Sequence, residues 1–296
     1  MKQIDKLILC SPYNEPHAYW DRNAQTQEFF QAEGRRPAGY TVASPGSKKG
    51  FVVGEFIEIP LVNLIRKRVK EWVADNRPGL TGVSRELLEH WETTDKEYRR
   101  YPFFFCQLEA IQAIIFLIEA PEHYKTGITI PSDGGEFVRW CNKMATGSGK
   151  TTVMAMLIAY NILNKVSYKQ DSRFSKNILV VAPGLTVKSR LAVLQPADEN
   201  NYYNEFNVVP TTLMDKLRLG QVKIINWHML SWDSQDKLNA KVEKGQLRSV
   251  DKRKQMEISD SAYAKAVLGD MANASNVLVI NDEAHHAWRT AAESKV

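Results

Sequence analysis

The sequence predicts an α/β domain, in which helices cover both faces of a mostly parallel sheet, preceded by a smaller α+β region. From residue 137 onward, short apolar segments alternate with helical segments, a pattern typical of a parallel sheet buried on both sides. A glycine-rich loop at residues 144–151 follows one predicted strand, and an apolar strand at residues 277–280 ends in two acids. We therefore predict an accessory region over residues 1–94 and the α/β domain over residues 95–296.

The accessory region carries no chemical motif, but its local structure can be predicted. Residues 7–10 are apolar enough for a short strand, residues 11–16 have the composition of a turn, and residues 34–39 that of a loop. Apolar residues at steps of three or four predict an amphipathic helix over residues 56–73. The opposite face of this helix carries Arg66, Lys67, Arg68 and Lys70. A solvated face is the ordinary interpretation of such a run, and contact with phosphates is the alternative.

Two further helices are predicted ahead of the glycine-rich loop. Ser84 is a suitable cap for a short helix that runs to His90. A longer helix is predicted over residues 105–120, and Pro121 ends it. Its apolar stripe consists of Phe105, Leu108, Ile111, Ile114, Ile115 and Ile118.

The α/β domain is predicted to contain five strands, at residues 137–144, 176–182, 206–209, 222–227 and 276–281. Helices are predicted from near Lys150 to residue 163, over residues 186–193 and over residues 212–219. The first strand is unusual because it contains Arg139, Asn142 and Lys143, which an edge position or a shorter strand would explain. Residues 233–260 are charged and polar, which predicts an insertion between two strands. The ordinary interpretation is a solvated segment, and the alternative is a basic element that faces DNA.

The glycine-rich loop has the composition of a phosphate-binding loop. Glycine gives the backbone the freedom and clearance to aim several N–H groups at phosphate oxygens, and Gly147 and Gly149 supply it here. The helix that begins near Lys150 adds the positive end of its dipole. The Lys150 ammonium can reach the β- and γ-phosphates, and the Thr151 hydroxyl can bind Mg²⁺.

The acid pair suits the other half of an ATP site. Asp282 and Glu283 follow a buried strand, and the carboxyl ends of parallel strands are where open α/β sheets bind ligands. We expect Asp282 to hold Mg²⁺, mainly through water, and Glu283 to polarise the attacking water.

Composition excludes several other classes of protein. The net charge of +5 permits nucleic-acid binding without proving it. No apolar run approaches the ~18 residues of a transmembrane helix, and the N-terminal apolar run is too short for a secretory signal. We therefore predict a cytoplasmic protein with no membrane contact. Cys10, Cys106 and Cys141 are odd in number and widely spaced, which predicts buried thiols and neither a zinc site nor disulfides.

Residues 145–151 (ATGSGKT), together with Asp282-Glu-Ala-His285 (a DEAH box), resemble superfamily 2 helicases of the DEAD/DEAH type. The chain is most similar to the motor part of type III restriction enzyme Res subunits. Met144 stands where the general phosphate-loop pattern has glycine, and methionine is usual in this branch. The resemblance covers about residues 95–296. Its supporting segments are residues 101–110, 144–151, 181–186 and 226–228.

The resemblance implies a RecA-like fold and a role for each matching residue. Gln107 would read adenine because its amide both donates and accepts, and Gln112 is the other candidate nearby. His285 would couple the nucleotide site to the next domain and joins Lys150, Asp282 and Glu283 as a catalytic residue. The metal ligands would be Thr151 and Asp282. The ATP-binding residues would be Gln107, Ala145, Thr146, Gly147, Ser148, Gly149, Lys150, Thr151 and Thr152.

The same resemblance implies a nucleic-acid contact after the second predicted strand. Pro183, Gly184, Thr186 and Lys188 would touch the backbone of the nucleic acid, a contact that carries no base sequence. A plain strand-to-helix turn is the alternative for this segment. Asn226 and His228 either are structural or line the DNA path.

The expected function is the ATP- and Mg²⁺-dependent motor half of a DNA helicase or translocase that serves a type III restriction-like system. Expected partners are double-stranded DNA, a second RecA-like domain, a nuclease domain and a modification or specificity subunit. Because the sequence ends at Val296, soon after Asp282, we expect this chain to be an incomplete motor with weak activity. The alternatives are a non-catalytic, ATP-responsive DNA-binding or interaction subunit and another P-loop enzyme, such as a small-molecule kinase.

Overall fold

Two compact units make up the chain, residues 1–153 and residues 154–296, and each is described by itself. The computed structural model describes residues 7–23, 26, 28–42, 56–95, 99–132, 137–230 and 260–284. The predicted boundary near residue 95 separates the accessory region from the predicted ATP-binding domain, and it stays a prediction.

Two antiparallel strand pairs open the first unit. The strands are β1 (Ala18–Arg22), paired with β2 (Phe29–Glu33), and β3 (Gly39–Thr41), paired with β4 (Phe56–Glu58). The predicted strand at residues 7–10 is wrong, because this segment has irregular backbone. Leu7 and Ile8 are exposed, so their apolar character does not bury them in a sheet.

Three helices follow in the first unit: α1 (Pro60–Ala74), α2 (Gly82–Glu92) and α3 (Phe105–Glu119). The helix predicted from residue 56 begins later because residues 56–58 pair in β4, and Pro60 occupies the first turn, where its fixed φ suits a helix. Helices α1 and α3 pack through Trp72 and Phe116, whose ring centroids are 5.6 Å apart. The predicted helix over residues 105–120 is confirmed.

The cap of α2 differs from the prediction. Thr81, not Ser84, is the N-cap, and its hydroxyl accepts a hydrogen bond from the Ser84 backbone N–H at 3.0 Å. Ser84 is buried, and its hydroxyl donates to Glu119 Oε1 at 2.5 Å. The Thr81 N–H donates to the other oxygen of Glu119 at 2.7 Å. The end of α3 therefore fixes the beginning of α2.

Carboxylates neutralise most of the basic face of α1. The pairs are Arg66–Glu109 at 3.4 Å, Arg68–Glu71 at 2.8 Å and Lys70–Glu15 at 2.6 Å. Arg35 adds a two-pronged contact to Glu109, at 2.5 and 2.6 Å. These pairs favour a structural role for the face over the alternative of phosphate contact.

The second unit contains a parallel sheet. Helix α4 (Lys150–Ser167) begins in the first unit and ends in the second. The sheet has the order β6-β5-β7, and all of its pairs are parallel, which confirms three of the five predicted strands. The elements are β5 (Asn177–Ala182), α5 (Leu185–Arg190), α6 (Tyr202–Glu205), α7 (Met214–Leu217), β6 (Gln221–Asn226), α8 (Asp260–Leu268) and β7 (Leu278–Asn281).

Helices lie on both faces of this sheet, as predicted. Leu179, Val181 and Ile225 pack with Val267 of α8 on one face. On the other face, α5 lies beside Ile224 of β6, and the two line one open pocket. The apolar side chains of β5 are buried on both faces, as a central parallel strand requires.

Two predicted strands are wrong. Residues 137–144 have irregular backbone, and Phe137 and Val138 are 72% and 84% exposed. Arg139 and Lys143 make this segment too polar for a parallel strand that is buried on both faces. Residues 206–209 form a turn in which Asn207 has a φ of 48°. The buried Val208 and Val209 give this turn the composition of a strand.

Of the predicted insertion at residues 233–260, only the first residue of α8 falls among the described residues. None of the helices in the described ranges has the length and apolar character needed to cross a membrane.

We expect Ile225→Ala to lower the free energy of unfolding by about 2–5 kcal/mol, since it opens a cavity in the sheet core. Val279→Ala is the matched control, because Val279 lies on β7 of the same sheet but is exposed. Urea denaturation followed by circular dichroism measures both. Equal losses in the two variants would contradict the core placement of Ile225.

Candidate functional site

The loop at residues 145–149 forms a tight turn. The backbone N–H and the hydroxyl of Ser148 donate to the Ala145 carbonyl, at 3.3 and 2.6 Å. Gly147 and Gly149 have φ angles of +78° and +82°, in the left-handed region that favours glycine. The two positions of the loop at which the backbone is left-handed are therefore both occupied by glycine.

Helix α4 starts directly from this loop. The N–H groups of Thr152 and Val153 donate to the Gly149 carbonyl, at 3.0 and 3.2 Å, and so begin the helix. Ala145, Thr146 and Gly147 are exposed, the four residues that follow are half-buried, and Thr152 is buried. A helix that begins at Lys150 places its positive end, and the Lys150 and Thr151 side chains, next to the exposed turn.

Gln107 lies against the loop from α3. Its side chain is 6% exposed, and its oxygen accepts the Phe104 N–H at 2.8 Å, which caps α3. A Cβ atom added at Gly149 would lie 2.0 Å from Gln107 Nε2. Gln112, the other candidate for adenine, donates instead to Glu92 on α2. Adenine contact by Gln107 stays a prediction.

The cysteines are more accessible than predicted. Cys106 and Cys141 are exposed and Cys10 is half-buried, all as free thiols, so the prediction of three buried thiols is wrong. Cys106 Sγ lies 3.8 Å from the Ser148 carbonyl oxygen, beside the loop. Although Cys106 is accessible, the protein atoms around it partly desolvate the thiol and raise its pKa, which favours its neutral form there.

In the second unit, the two acids follow β7. The Asp282 N–H donates to the Val181 carbonyl at 3.0 Å, extending the pairing of β7 with β5 by one bond. Asp282 Oδ1 accepts the Glu283 N–H at 3.1 Å. Glu283 has a φ of 52°, a left-handed conformation that costs a side-chain-bearing residue about 1–2 kcal/mol. Strain of this kind is concentrated at functional sites.

The predicted nucleic-acid residues lie at the same edge of the sheet, after β5. Gly184 is the N-cap of α5, and its carbonyl accepts the Lys188 N–H at 2.9 Å. Thr186 is exposed, and Lys188 lines an open pocket of about 370 Å³. The Pro183 carbonyl accepts the indole N–H of Trp227, which follows β6, at 3.1 Å. Because β5 is the central strand, this segment lies between Trp227 and Asp282.

The site residues belong to both units. Gln107 and residues 145–152 lie in the first unit. Residues 183–188, Asp282 and Glu283 lie in the second unit. His285 lies outside the described residues.

The residues present fit a nucleoside triphosphate with its cation. The turn at Gly147 is open, with nothing within 4 Å of where a Cβ would stand, and Lys150 and the N–H groups of the first turn of α4 follow it directly. Within the described ranges, no three His, Cys, Asp or Glu side chains cluster as a metal cage.

These features define an α/β protein with a glycine-rich loop at the start of a helix, the arrangement typical of P-loop proteins. The sequence profile of the family described as "Type III restriction enzyme, res subunit" matches residues 100–295. The chain therefore belongs to this family of helicase-related, ATP-driven motors, which confirms the resemblance and implies a RecA-like fold. No curated protein and no solved structure matches the chain.

Two contacts at this site were not predicted from the sequence: that of Gln107 with Gly149, and that of Trp227 with Pro183. Residues 226–228 are typical of the family, but the sequence alone assigns no role to Trp227. A tryptophan directly after a strand that ends at the ligand-binding edge was the available signal.

We expect Gly149→Ala to weaken ATP binding, because the added methyl group would displace the Gln107 amide and the backbone is left-handed. Gly147→Ala is the matched control: its φ is also positive, but its Cβ would meet open space. Titration with a fluorescent ATP analogue measures both, and we expect at least about tenfold weaker binding for the first than for the second. The double variant Gln107→Ala/Gly149→Ala should recover part of the loss. No recovery would show that Gln107 does not constrain the loop.

Proposed function

We propose that this chain binds ATP with Mg²⁺ and couples ATP hydrolysis to movement on DNA, as the motor half of a type III restriction-like enzyme. The observation that carries the proposal is the open turn with two left-handed glycines at the start of α4, which itself begins with Lys150 and Thr151. Family membership supports the ATP-driven motor class.

Each residue of the nucleotide site has a proposed task. Lys150 binds the β- and γ-phosphates, while Thr151 and Asp282 hold Mg²⁺, which offsets the negative charge on the phosphate oxygens. Glu283 orients and polarises the attacking water. His285 links the nucleotide site to the next domain. The left-handed backbone of Glu283, at the strand end where ligands bind in such sheets, is consistent with this role.

The proposed DNA contact uses the turn after β5. Pro183, Gly184, Thr186 and Lys188 bind the phosphate backbone, so the contact positions the DNA without reading its sequence. Support comes from the location of this turn, next to Asp282 at the ligand-binding edge of the sheet. We propose that the complete enzyme acts on double-stranded DNA in the cytoplasm. It would use a second RecA-like domain, a nuclease domain and a modification or specificity subunit.

Two other functions remain to be separated from this one. A small-molecule kinase with the same loop would turn over ATP without a response to DNA. A non-catalytic, ATP-responsive subunit would bind DNA and act in the cell without needing Lys150. The acid pair after β7 favours water as the acceptor, and thus favours the motor.

We expect Glu283→Gln to retain ATP binding but to lower DNA-stimulated ATP turnover by about 10²-fold or more, since it removes the group that polarises water. Lys150→Ala should lose both ATP binding and turnover. Lys169→Ala, a change to an exposed lysine just after α4, is the control and should leave both intact.

Steady-state ATPase assays of the protein, with and without duplex DNA, measure these effects. Turnover that does not respond to DNA in the unaltered protein would favour the kinase. DNA binding and cellular activity that survive Lys150→Ala unchanged would favour the non-catalytic subunit.

A further inference from the structure

Trp227 holds the turn that the proposed DNA contact uses. Its indole N–H donates to the Pro183 carbonyl at 3.1 Å, one residue before the N-cap of α5. Trp227 begins a short 3₁₀ turn, Trp227–Leu230, directly after β6. The carbonyl of Met229 in that turn accepts a hydrogen bond from the Tyr263 hydroxyl of α8 at 2.6 Å. The indole is therefore fixed to the Pro183 turn by its own hydrogen bond, and the backbone of the 3₁₀ turn that carries it is held separately by α8.

The anchored indole remains accessible. Trp227 is 39% exposed, although burying its aromatic surface would be favourable. Leu185, the first residue of α5, and Met229 are exposed as well. An accessible aromatic ring held in a fixed orientation loses little conformational entropy when a flat partner stacks on it.

Positive charge lies on the helix that follows the Pro183 turn, to which the ring is bonded. Helix α5 contains Lys188 and Arg190 and no acid, and Lys188 lines the pocket between α5 and β6. Cations that track a phosphate backbone beside an aromatic ring that stacks on a base are the recurring elements of single-strand binding sites. A purely apolar protein partner would not require the cations.

From this juxtaposition we propose that Trp227 is a stacking platform for an unpaired base, so that the second unit takes hold of one strand of DNA in a single-stranded form. The proposal rests on the proposed function, because Lys188 must contact the phosphates of the same strand. It goes beyond that function by adding a base contact and by specifying the state of the DNA, since a base within a duplex presents no free face for stacking.

The test compares Trp227→Leu and Trp227→Phe in the 296-residue chain. Binding is measured by fluorescence anisotropy with a labelled oligo-dT strand and with a strand of equal length that carries abasic sugars throughout. We expect Trp227→Leu to bind oligo-dT about tenfold more weakly, within the range that base–aromatic stacking supports, and to bind the abasic strand as the unaltered chain does. Trp227→Phe retains a ring but loses the hydrogen bond to Pro183, and it should bind oligo-dT within about threefold of the unaltered chain.

Tyr168→Leu is the matched control, because Tyr168 is 40% exposed and follows the last turn of α4. It should leave both affinities unchanged. The salt dependence of binding provides a second readout: Lys188→Ala should reduce the slope of log affinity against log salt by about one phosphate contact, whereas Trp227→Leu should not change it.

Three outcomes would overturn the platform. Equal losses on oligo-dT and on the abasic strand would show that Trp227 only supports the fold of the turn. Loss of oligo-dT affinity in Trp227→Phe as large as in Trp227→Leu would assign the effect to the hydrogen bond and not to stacking. Duplex binding at least as tight as oligo-dT binding, with equal sensitivity to Trp227→Leu, would exclude an unpaired base.

Failure of the proposed function produces a different result. In that case the unaltered chain would bind neither strand in a salt-dependent manner, and Lys188→Ala would have no effect.

Discussion

The parallel pairing of β5 with strands on both of its sides determines where chemistry is possible in the second unit. Because β6, β5 and β7 run in one direction, the segments that follow them emerge at one edge. Three otherwise distant parts of the sequence, around Pro183, Trp227 and Asp282, become neighbours in this way. The hydrogen bond from Asp282 to Val181 extends the pairing by one residue, so the acid is positioned by the sheet backbone itself.

In the first unit, polar contacts between helices have a comparable importance. Glu119 receives hydrogen bonds from Thr81 and Ser84, while Glu109 is bound by Arg35 and Arg66. Both acids belong to α3, the same helix whose first turn carries Gln107 next to Gly149. The helix that contacts the phosphate-binding loop is thus held near both ends by charge-assisted hydrogen bonds, which are stronger than neutral ones. A stable α3 in turn gives the loop a fixed neighbour.

Local sequence signals predicted the elements that depend on local chemistry. The apolar stripe of α3, the buried runs of β5 and β6, and the loop glycines could all be recognised without a structure, because periodicity, burial and φ preference act within a few residues. The strand predicted at residues 137–144 failed because its aromatic residues indicated burial, whereas its charges decided the outcome. The cap at Thr81 was missed because Ser84 is equally suitable as a cap in isolation, and only the distant Glu119 distinguishes the two. For the same reason, the sequence could single out Trp227 and Gln107 but not their partners, because each contact joins residues more than forty positions apart.

The contact between Gln107 and Gly149 also has an evolutionary consequence. A side chain at position 149 would have to adopt a left-handed backbone and displace the Gln107 amide, whether or not ATP is bound. The loop conformation therefore favours glycine at this position independently of catalysis. Lys150 lies in the first turn of a regular helix and has no such backbone requirement, so its replacement would be the clearer sign that ATP binding had been lost. In related sequences, glycine at position 149 would therefore indicate that the loop conformation is kept, whereas lysine at position 150 would indicate that ATP binding is kept.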